Sequence, residues 1–569
     1  MLLGVDVGGT HTDAVVLQNG KVIAKAKVLT DPHDLLKSID QALGLVLLEI
    51  EPDSILHMNL STTLSTNALI EKRIEEVAVV VSAGPGIDPE GFRVNNHYFA
   101  VGGAIDHCGV EVALLNESEL RAIAAQCAKA NVRMAAVVGK FSTRNPCHEE
   151  RMAKVLAPHM THITEGHRLS GHLNFPRRIA TAYYNAAVWT LFNSFADAVE
   201  KSALRHGLTA PINILKADGG TIPLELARSL PVESILSGPA ASVMGTIALS
   251  DQLLGPTTDA LILDIGGTTT DIAVFVGGSP VVEEDGAVFA GAPTLVRAIK
   301  ATSIGIGGDS LLKIEIAKSI DLPCPPEQTL RISVGPERLG PCMALGGNYP
   351  TLMDAFNYLE LSNFGQIEAS KDGLENLAKT HGLAPAALAK QAVEFALISI
   401  KNAITQVIDE INSKPVYTIR DLLGRRSIQP SRLFLMGGPA EAFKPLLADC
   451  LHMEIILPLQ YSVANAIGAA LARSTVELEL FADTEYGKLL IPTLGLERKV
   501  DKEYTLEDAK QDALKAMRNY LDSQDIADDA PIDIIEATSF NMVNELGLAG
   551  RNIRVKCQIR PGLLGEVKC

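Results

Sequence analysis

Two short apolar runs, Leu2-Leu3-Gly4-Val5 and Ala260-Leu261-Ile262-Leu263, each lead into a glycine-rich polar octet and out into a second apolar run, residues 14–17 and 272–275. Runs of this length bounded by turn residues predict strands, so each copy predicts a hairpin. After the first copy, Asn19-Gly20 signals a turn, and residues 21–28 predict the third strand of a meander. Further along, the period alternates between strand and helix. Residues 76–82, 135–138, 161–164 and 213–216 predict strands. Asp31-Pro32-His33-Asp34 predicts a helix start running to about Leu48, and Asn116 with Glu119 predicts a capping box for a helix ending near Ala130. Residues 146–156 predict another helix, and residues 175–206 one or two. Residues 385–412 form the strongest helical stretch, with Pro385 where a first turn tolerates it. Residues 84–109 and 323–350 read as loop-rich.

The second half repeats the plan of the first. Residues 281–288 and 294–298 predict a strand pair after a Gly277-Gly278 turn. Residues 433–436 predict a strand entering Gly437-Gly438-Pro439-Ala440 and then a helix. Residues 461–470 predict an Ala- and Gly-rich helix whose small side chains admit another backbone. Beyond Thr475 the composition shifts: a charged helix at 506–520 lies between strand-like pieces at 489–494, 532–537 and 553–559. The expected division is therefore 1–257, a first lobe with inserted elements; 258–475, a second lobe with a helical insertion; and 476–569, a small α+β domain. At 569 residues, several cores are expected.

Composition narrows the function. A formal charge of −17 argues against a general nucleic-acid binder without excluding a local nucleotide site. No apolar stretch approaches the length of a membrane span, and the start lacks a secretory pattern, so a cytoplasmic protein is expected. Eight cysteines without a C-x-x-C pair fit reduced thiols. His148, His159, His162, His167 and His172 lack the spacing of paired helix ligands and read as surface histidines.

The candidate chemistry lies in the two octets, Asp6-Val7-Gly8-Gly9-Thr10-His11-Thr12-Asp13 and Asp264-Ile265-Gly266-Gly267-Thr268-Thr269-Thr270-Asp271. Paired glycines admit positive φ and leave backbone N–H groups open to phosphate oxygens. Threonine hydroxyls can donate to the same oxygens, and a carboxylate on the strand before the turn suits Mg²⁺, often through water. One such turn is equally a plain hairpin. Its duplication with flanking strands points to a polyphosphate gripped from both sides. Thr62, Thr63 and Asn67 either line that cleft or cap a helix. Thr302–Ser310 is a third glycine-rich segment, Ser237–Ala241 a small-residue helix start, and Asp354 a cap or a cleft residue.

The order of two hairpin loops followed by strand-Gly-Gly-helix resembles the actin, sugar-kinase and heat-shock-chaperone ATPase superfamily. That implies a duplicated actin-like (ribonuclease H-like) α/β fold with two lobes around a nucleotide cleft. More closely, the chain resembles the A subunit of the hydantoinase/oxoprolinase family. The resemblance rests on G-x-D-V-G-G-T-x-T-D at Gly4–Asp13, T-T-x-x-T-N-A-L at Thr62–Leu69, I-L-S-G-P-A-A at Ile235–Ala241, D-x-G-G-T-T-T-D at Asp264–Asp271, and V-G-P-E with P-T-x-x-D-A across Val334–Ala355. It implies ATP-dependent opening of cyclic amides of the hydantoin or 5-oxoproline type, by phosphorylation of the amide oxygen. It further implies Mg²⁺ at Asp6 and Asp264, phosphates at Gly8, Gly9, Thr10, Thr12, Gly266, Gly267, Thr268 and Thr269, and adenosine near Gly437 and Gly438. Asp13 and Asp271 would orient water or substrate. A small cyclic amide, and a second subunit or further copies of the chain, are the implied partners. The alternatives are a ketone carboxylase subunit, a small-molecule kinase and a non-enzymatic ATPase switch. The chain departs from the family at His11, where an aromatic is usual, at Leu60-Ser61, where His-Gly is usual, and at Gly307-Gly308-Asp309-Ser310.

Overall fold

The computed structural model describes residues 1–31, 34–250, 258–277, 279–283, 286–316, 330–413, 427–523, 532–544, 547–559, 561–565 and 567. Pro32, His33 and Gly278, residues 284 and 285 of the expected 281–288 strand, and residues 323–329 of the expected loop-rich stretch lie outside these.

Two sheets share one plan. In the first, Leu2–Val7 pairs antiparallel with His11–Gln18, which pairs antiparallel with Lys21–Leu29. On its other edge Leu2–Val7 runs parallel to His57–Thr62, and that strand runs parallel to Ile212–Leu215. In the second, Ala260–Ile265 pairs antiparallel with Thr270–Val276 and parallel with Arg432–Met436, which is parallel to Glu454–Ile456. The third-strand position there is shared by Ser279–Pro280 and Ala301–Ile304. This repeated meander-plus-parallel order is the duplicated actin-like arrangement.

Both faces of each sheet are covered, which is why the strands read as near-continuous apolar runs. Leu3, Val5 and Val7 pack with residues of the Leu35–Val46 and Phe175–Arg205 helices. Val15 and Leu17 pack instead with Ala466, Ile467 and Ala470 of the Ala464–Leu471 helix. In the second sheet, Leu261, Leu263 and Ile265 join a core with the Pro385–Ser413 and Ala440–Leu451 helices, while Ala260 and Ile262 pack with Ala240, Ala241 and Ala464. The Ala464–Leu471 and Ser237–Ser250 helices therefore lie between the two sheets. Small residues make this possible. A methyl group at Gly4 would fall 2.0 Å from the Ala466 carbonyl oxygen, one at Gly245 2.2 Å from that of Ala464, and one at Gly468 2.3 Å from that of Ala241.

Two further sheets flank this frame. Val77–Ser82, Tyr98–Ala100, Met134–Gly139 and His162–Glu165 form a parallel sheet between the fourth and fifth strands of the first lobe. Tyr98–Ala100 lies in the stretch expected to be loop. Residues 175–206 resolve as one helix of 31 residues, Phe175–Arg205. The expected capping box is half formed: Asn116 accepts from the Ser118 and Glu119 amides, but Glu119 reaches back to the Gly102 amide. The strands expected at 281–288 and 294–298 are only two-residue pieces, Val282–Glu283, Val288–Phe289 and Ala298–Ile299. After Thr475, a five-stranded antiparallel sheet is covered by the Leu506–Ser523 helix through Ala509, Ala513, Met517 and Leu521. Among the described residues, no single helix is long and apolar enough to cross a membrane.

The surface reading of the histidines fails for two of them. His148 and His167 are buried because each satisfies a carboxylate: His148 Nε2 is 3.0 Å from Glu111 and its Nδ1 2.9 Å from Ser82 Oγ, while His167 Nδ1 is 2.7 Å from Glu149.

Candidate active site

Strand register builds the site. Asp6 stands directly opposite Asp13, and Asp264 opposite Asp271, at the same step before each turn. Each turn closes with the same bond: the Gly8 amide donates to the His11 carbonyl at 3.0 Å, and the Gly266 amide to the Thr269 carbonyl at 2.9 Å. None of Gly8, Gly9, Gly266 and Gly267 has positive φ. This corrects the expectation drawn from backbone freedom, and only Gly267 is required by space. A methyl group at Gly267 would lie 2.7 Å from Asp309 Oδ2 and 2.9 Å from Thr10 Oγ1, so the two turns abut. Gly9 is exposed, with the Asn67 amide the nearest group to its missing side chain. The third glycine-rich segment closes over the second turn, as the Gly308 amide donates to the Gly266 carbonyl and the Asp309 amide to the Gly267 carbonyl.

The four carboxylates occupy one electrostatic neighbourhood. Burial pushes the Asp6 carboxyl up to about 7, with Asp13 and Asp264 adding to the push and the Ser61 hydroxyl and Lys27 opposing it. Asp13 is also raised by burial, against the Lys27 ammonium that sits 2.8 Å from it. Asp264 is raised by burial, and Asn465 Nδ2 donates to it at 3.1 Å. Asp271 is pushed up to about 7 by burial, with Ser303, which donates to it, as the main opposing group. His11 is driven down to about 4 by burial and by the nearby Lys27 and Arg338, so it is neutral near pH 7. Arg338 Nη2 lies 3.2 Å from Asp309, whose other oxygen accepts from the Cys342 amide.

Several expected residues lie elsewhere. Thr12 alternates with Asp13 across the strand, and its hydroxyl is buried against Thr30 Oγ1 at 2.9 Å, so its side chain does not join the carboxylates. Thr10, Thr268 and Thr269 remain partly exposed at the turns. Gly437, at φ +91°, presses on Asp264 Oδ1 and the Ile265 carbonyl, whereas Gly438 has open space beside it. Asp354 is fully buried and accepts from the Met343, Ala344 and Thr351 amides and from Ser370 Oγ; it is a cap and loop clamp rather than a cleft group. Thr62 is buried with Ser237, and Asn67 alone of its segment reaches the first turn.

Sequence reasoning passed over Lys27, Asn465 and Arg338, and assigned no role to the side chains of Ser61, Ser303 and Asp309. Three of these carry a signal in register: Lys27 faces Asp13, Ser303 faces Asp271, and Ser61 is the parallel neighbour of Asp6. Chemically, the arrangement offers open turn amides, clustered oxygen donors of high proton affinity, and two cations, Lys27 and Arg338, bordering the turns. Oxygen-only donors on raised carboxylates fit Mg²⁺, which would neutralise them.

Comparison with known proteins agrees with this fold. The Caprolactamase subunit alpha of Pseudomonas jessenii is 26% identical over 557 residues, covering 91% of this chain and 74% of its own. The Acetophenone carboxylase gamma subunit of Aromatoleum aromaticum is 22% identical over 405 residues, covering 62% of this chain and 52% of its own. The fold superposes on nucleotide-free acetone carboxylase with a TM-score of 0.67 at 16% identity, covering 98% of this chain and 87% of that one. It superposes on the ATP-dependent caprolactamase of Pseudomonas jessenii with a TM-score of 0.64 at 20% identity, with the same coverages. Residues 2–160 match the hydantoinase/oxoprolinase N-terminal region and residues 178–478 the hydantoinase/oxoprolinase domain. The chain belongs to the hydantoinase/oxoprolinase family.

Proposed function

We propose that this chain is an ATP-dependent enzyme that opens small cyclic amides, with the nucleotide phosphates held between the two hairpin turns. The observation that carries the reading is the abutment of the turns, Thr10 against Gly267, over four carboxylates whose proton affinity is raised by burial and mutual repulsion. In this reading Asp6 and Asp264 hold Mg²⁺, which supplies charge neutralisation for the phosphates. The amides of Gly9, Thr10, Gly267 and Thr268, which take no part in the turn-closing bonds, bind phosphate oxygens, and Lys27 and Arg338 offset charge at the rim. Gly437 is packed against Asp264, and Gly438 beside it leaves the backbone open for the nucleoside side of ATP.

The amide oxygen attacks the γ-phosphorus as the bond to ADP breaks. Water then adds to the activated ring carbon, the ring C–N bond breaks with the nitrogen taking a proton, and a second water hydrolyses the acyl phosphate to carboxylate and phosphate. Asp13 or Asp271 orients substrate or water; burial raises the proton affinity of Asp13 while the Lys27 ammonium opposes the rise, which suits it to accept a proton.

Relatives described as subunits support a reading in which the active assembly includes a second polypeptide or further copies of this chain. The Acetophenone carboxylase gamma subunit also favours a second reading, in which the activated oxygen belongs to a ketone or bicarbonate. The test is phosphate release from Mg²⁺-ATP across hydantoins, 5-oxoproline, larger lactams and bicarbonate-plus-ketone mixtures, with Asp264→Ala alongside. Stimulation by one cyclic amide, lost in the variant, supports the amidohydrolase. Stimulation only by bicarbonate with a ketone replaces it with the carboxylase. A flat response with ATP bound rejects the claim that the chain acts alone.

A further inference from the structure

Away from the cleft, a cavity of about 860 Å³ lies where the inserted parallel sheet, the 216–233 segment and the C-terminal sheet meet; no residue of the two hairpin turns or of the glycine-rich segments at 305–310 and 437–438 lines it. Its wall carries several acids, most of them with a direct partner. Lys216 Nζ is 3.0 Å from Asp218, Lys556 Nζ 2.6 Å from Glu477, and Arg554 Nε 3.0 Å from Glu479. Among the described lining residues, Glu233 is half-buried with no hydrogen bond or ion pair on its carboxylate, whereas Glu150, also without one, is exposed and Glu479 has one oxygen on Arg554 and the other buried without a partner. Burial raises it to about 7, with Asp218 and Glu477 adding to the effect and Lys216 opposing it from beyond contact distance. A half-buried acid without a partner is costly to ionise, and a ligand cation would offset that cost.

We propose that this cavity is a second small-molecule site that takes the ammonium group of an organic amine on Glu233. A metal ion is a poor match, because Mg²⁺ and Ca²⁺ need several free oxygen ligands and Asp218, Glu477 and Glu479 are each already engaged by a lysine or arginine. The volume suits an organic body, and Ile222, Leu226, Leu295 and Tyr520 give it apolar wall. The segment bearing Glu233 also reaches the nucleotide side of the lobe. Ser234 Oγ meets Ser65 Oγ at 3.1 Å, and the Leu236 amide donates to Thr66 Oγ1 at 2.9 Å, both on the Leu64–Ile70 helix whose Asn67 lies by Gly9.

The experiment is calorimetric titration of the intact chain, in phosphate buffer, with butylammonium and cyclohexylammonium chlorides, against butanol and cyclohexanol as neutral matches. Saturable binding of the amines and not the alcohols is expected, weakened by about tenfold or more in Glu233→Gln. Ser229→Trp, which adds bulk at an exposed wall position and leaves the carboxylate intact, is expected to abolish it. It keeps the test valid should Glu233→Gln fail to fold. Absence of saturable binding, equal binding of alcohols, or unchanged affinity in either folded variant overturns the proposal. The titration requires no ATP turnover, so its outcome is independent of the amidohydrolase reading.

Discussion

The two hairpins have one backbone and two electrostatic solutions. In the first, the carboxylate before the turn, Asp6, accepts from Ser61 Oγ at 2.5 Å, its parallel neighbour, and the carboxylate after the turn, Asp13, is neutralised by Lys27 from the third strand. At the equivalent positions of the second hairpin the chain has Met436 beside Asp264 and Ser303 beside Asp271. Methionine cannot serve a carboxylate, so Asn465 reaches in from another helix. Register and turn geometry are thus duplicated while charge compensation is not. One hairpin supplies its own cation in contact with Asp13; the other holds two acids whose hydrogen-bond donors, Asn465 and Ser303, are both neutral.

The sharpest way to break this comparison is to remove the uncompensated acid. Asp264→Asn is expected to lower ATP turnover by about 10²–10³-fold, the scale on which a single charge-stabilising group acts, measured as steady-state phosphate release. Asp264→Asn leaving turnover within a few-fold of wild type would dissociate the second hairpin from catalysis.

Next come the turns. Gly267→Ala collides with Asp309 and Thr10 and is expected to cost about 1–3 kcal/mol in denaturant unfolding. Gly9→Ala meets only the flexible Asn67 side chain and is expected to cost well under that. Equal penalties would show that the turns do not abut as described.

Lys27→Met is expected to raise the Asp6 and Asp13 proton affinities, because Lys27 opposes both shifts. The ascending limb of the pH–rate profile should move to higher pH by about one unit. A limb that stays in place would mean that neither acid titrates in the rate.

Stability should respond with a definite sign. Asp6 and Asp271 bind protons more tightly folded than unfolded, so between about pH 4 and 7 the folded state holds more protons. Thermal stability of metal-free protein should therefore fall as pH rises through about 7, and Mg²⁺ should restore more of it at pH 8 than at pH 5.5. A melting temperature that climbs across this range would refute the assignment. The smallest effect belongs to Ser303→Ala, expected to cost about 0.5–1.5 kcal/mol of stability through one lost hydrogen bond and to shift the profile less than Lys27→Met.

Much of this was legible in the sequence because it is local. The octets name their own turns, and strands buried on both faces announce themselves as apolar runs. What escaped is non-local. Asn465 reaches Asp264 from 201 positions away, and nothing in an Ala-rich helix distinguishes its single amide as a ligand to a carboxylate. Arg338 and Asp309 meet only after a loop folds back on the second turn. Thr12 was misplaced for a simpler reason: the motif invites reading every threonine as a phosphate contact, but strand alternation sends alternate side chains to opposite faces. His148 and His167 read as surface groups from the sequence because their partners, the half-buried Glu111 and the buried Glu149, come from tertiary packing rather than spacing.

The glycines that meet the Ala464–Leu471 helix have a mechanical consequence. Gly4 and Gly245 bring backbone against backbone at separations no side chain would allow, so this helix is a bearing shared by both lobes rather than a padded contact. Compliant side chains would absorb a rotation; rigid main chain transmits it. Gly4 lies two residues before Asp6, and Asn465 is the second residue of the helix and holds Asp264. This one short rod, about 12 Å long, therefore bears directly on the strand of one carboxylate and on the other carboxylate itself, so the two acids share one rigid reference.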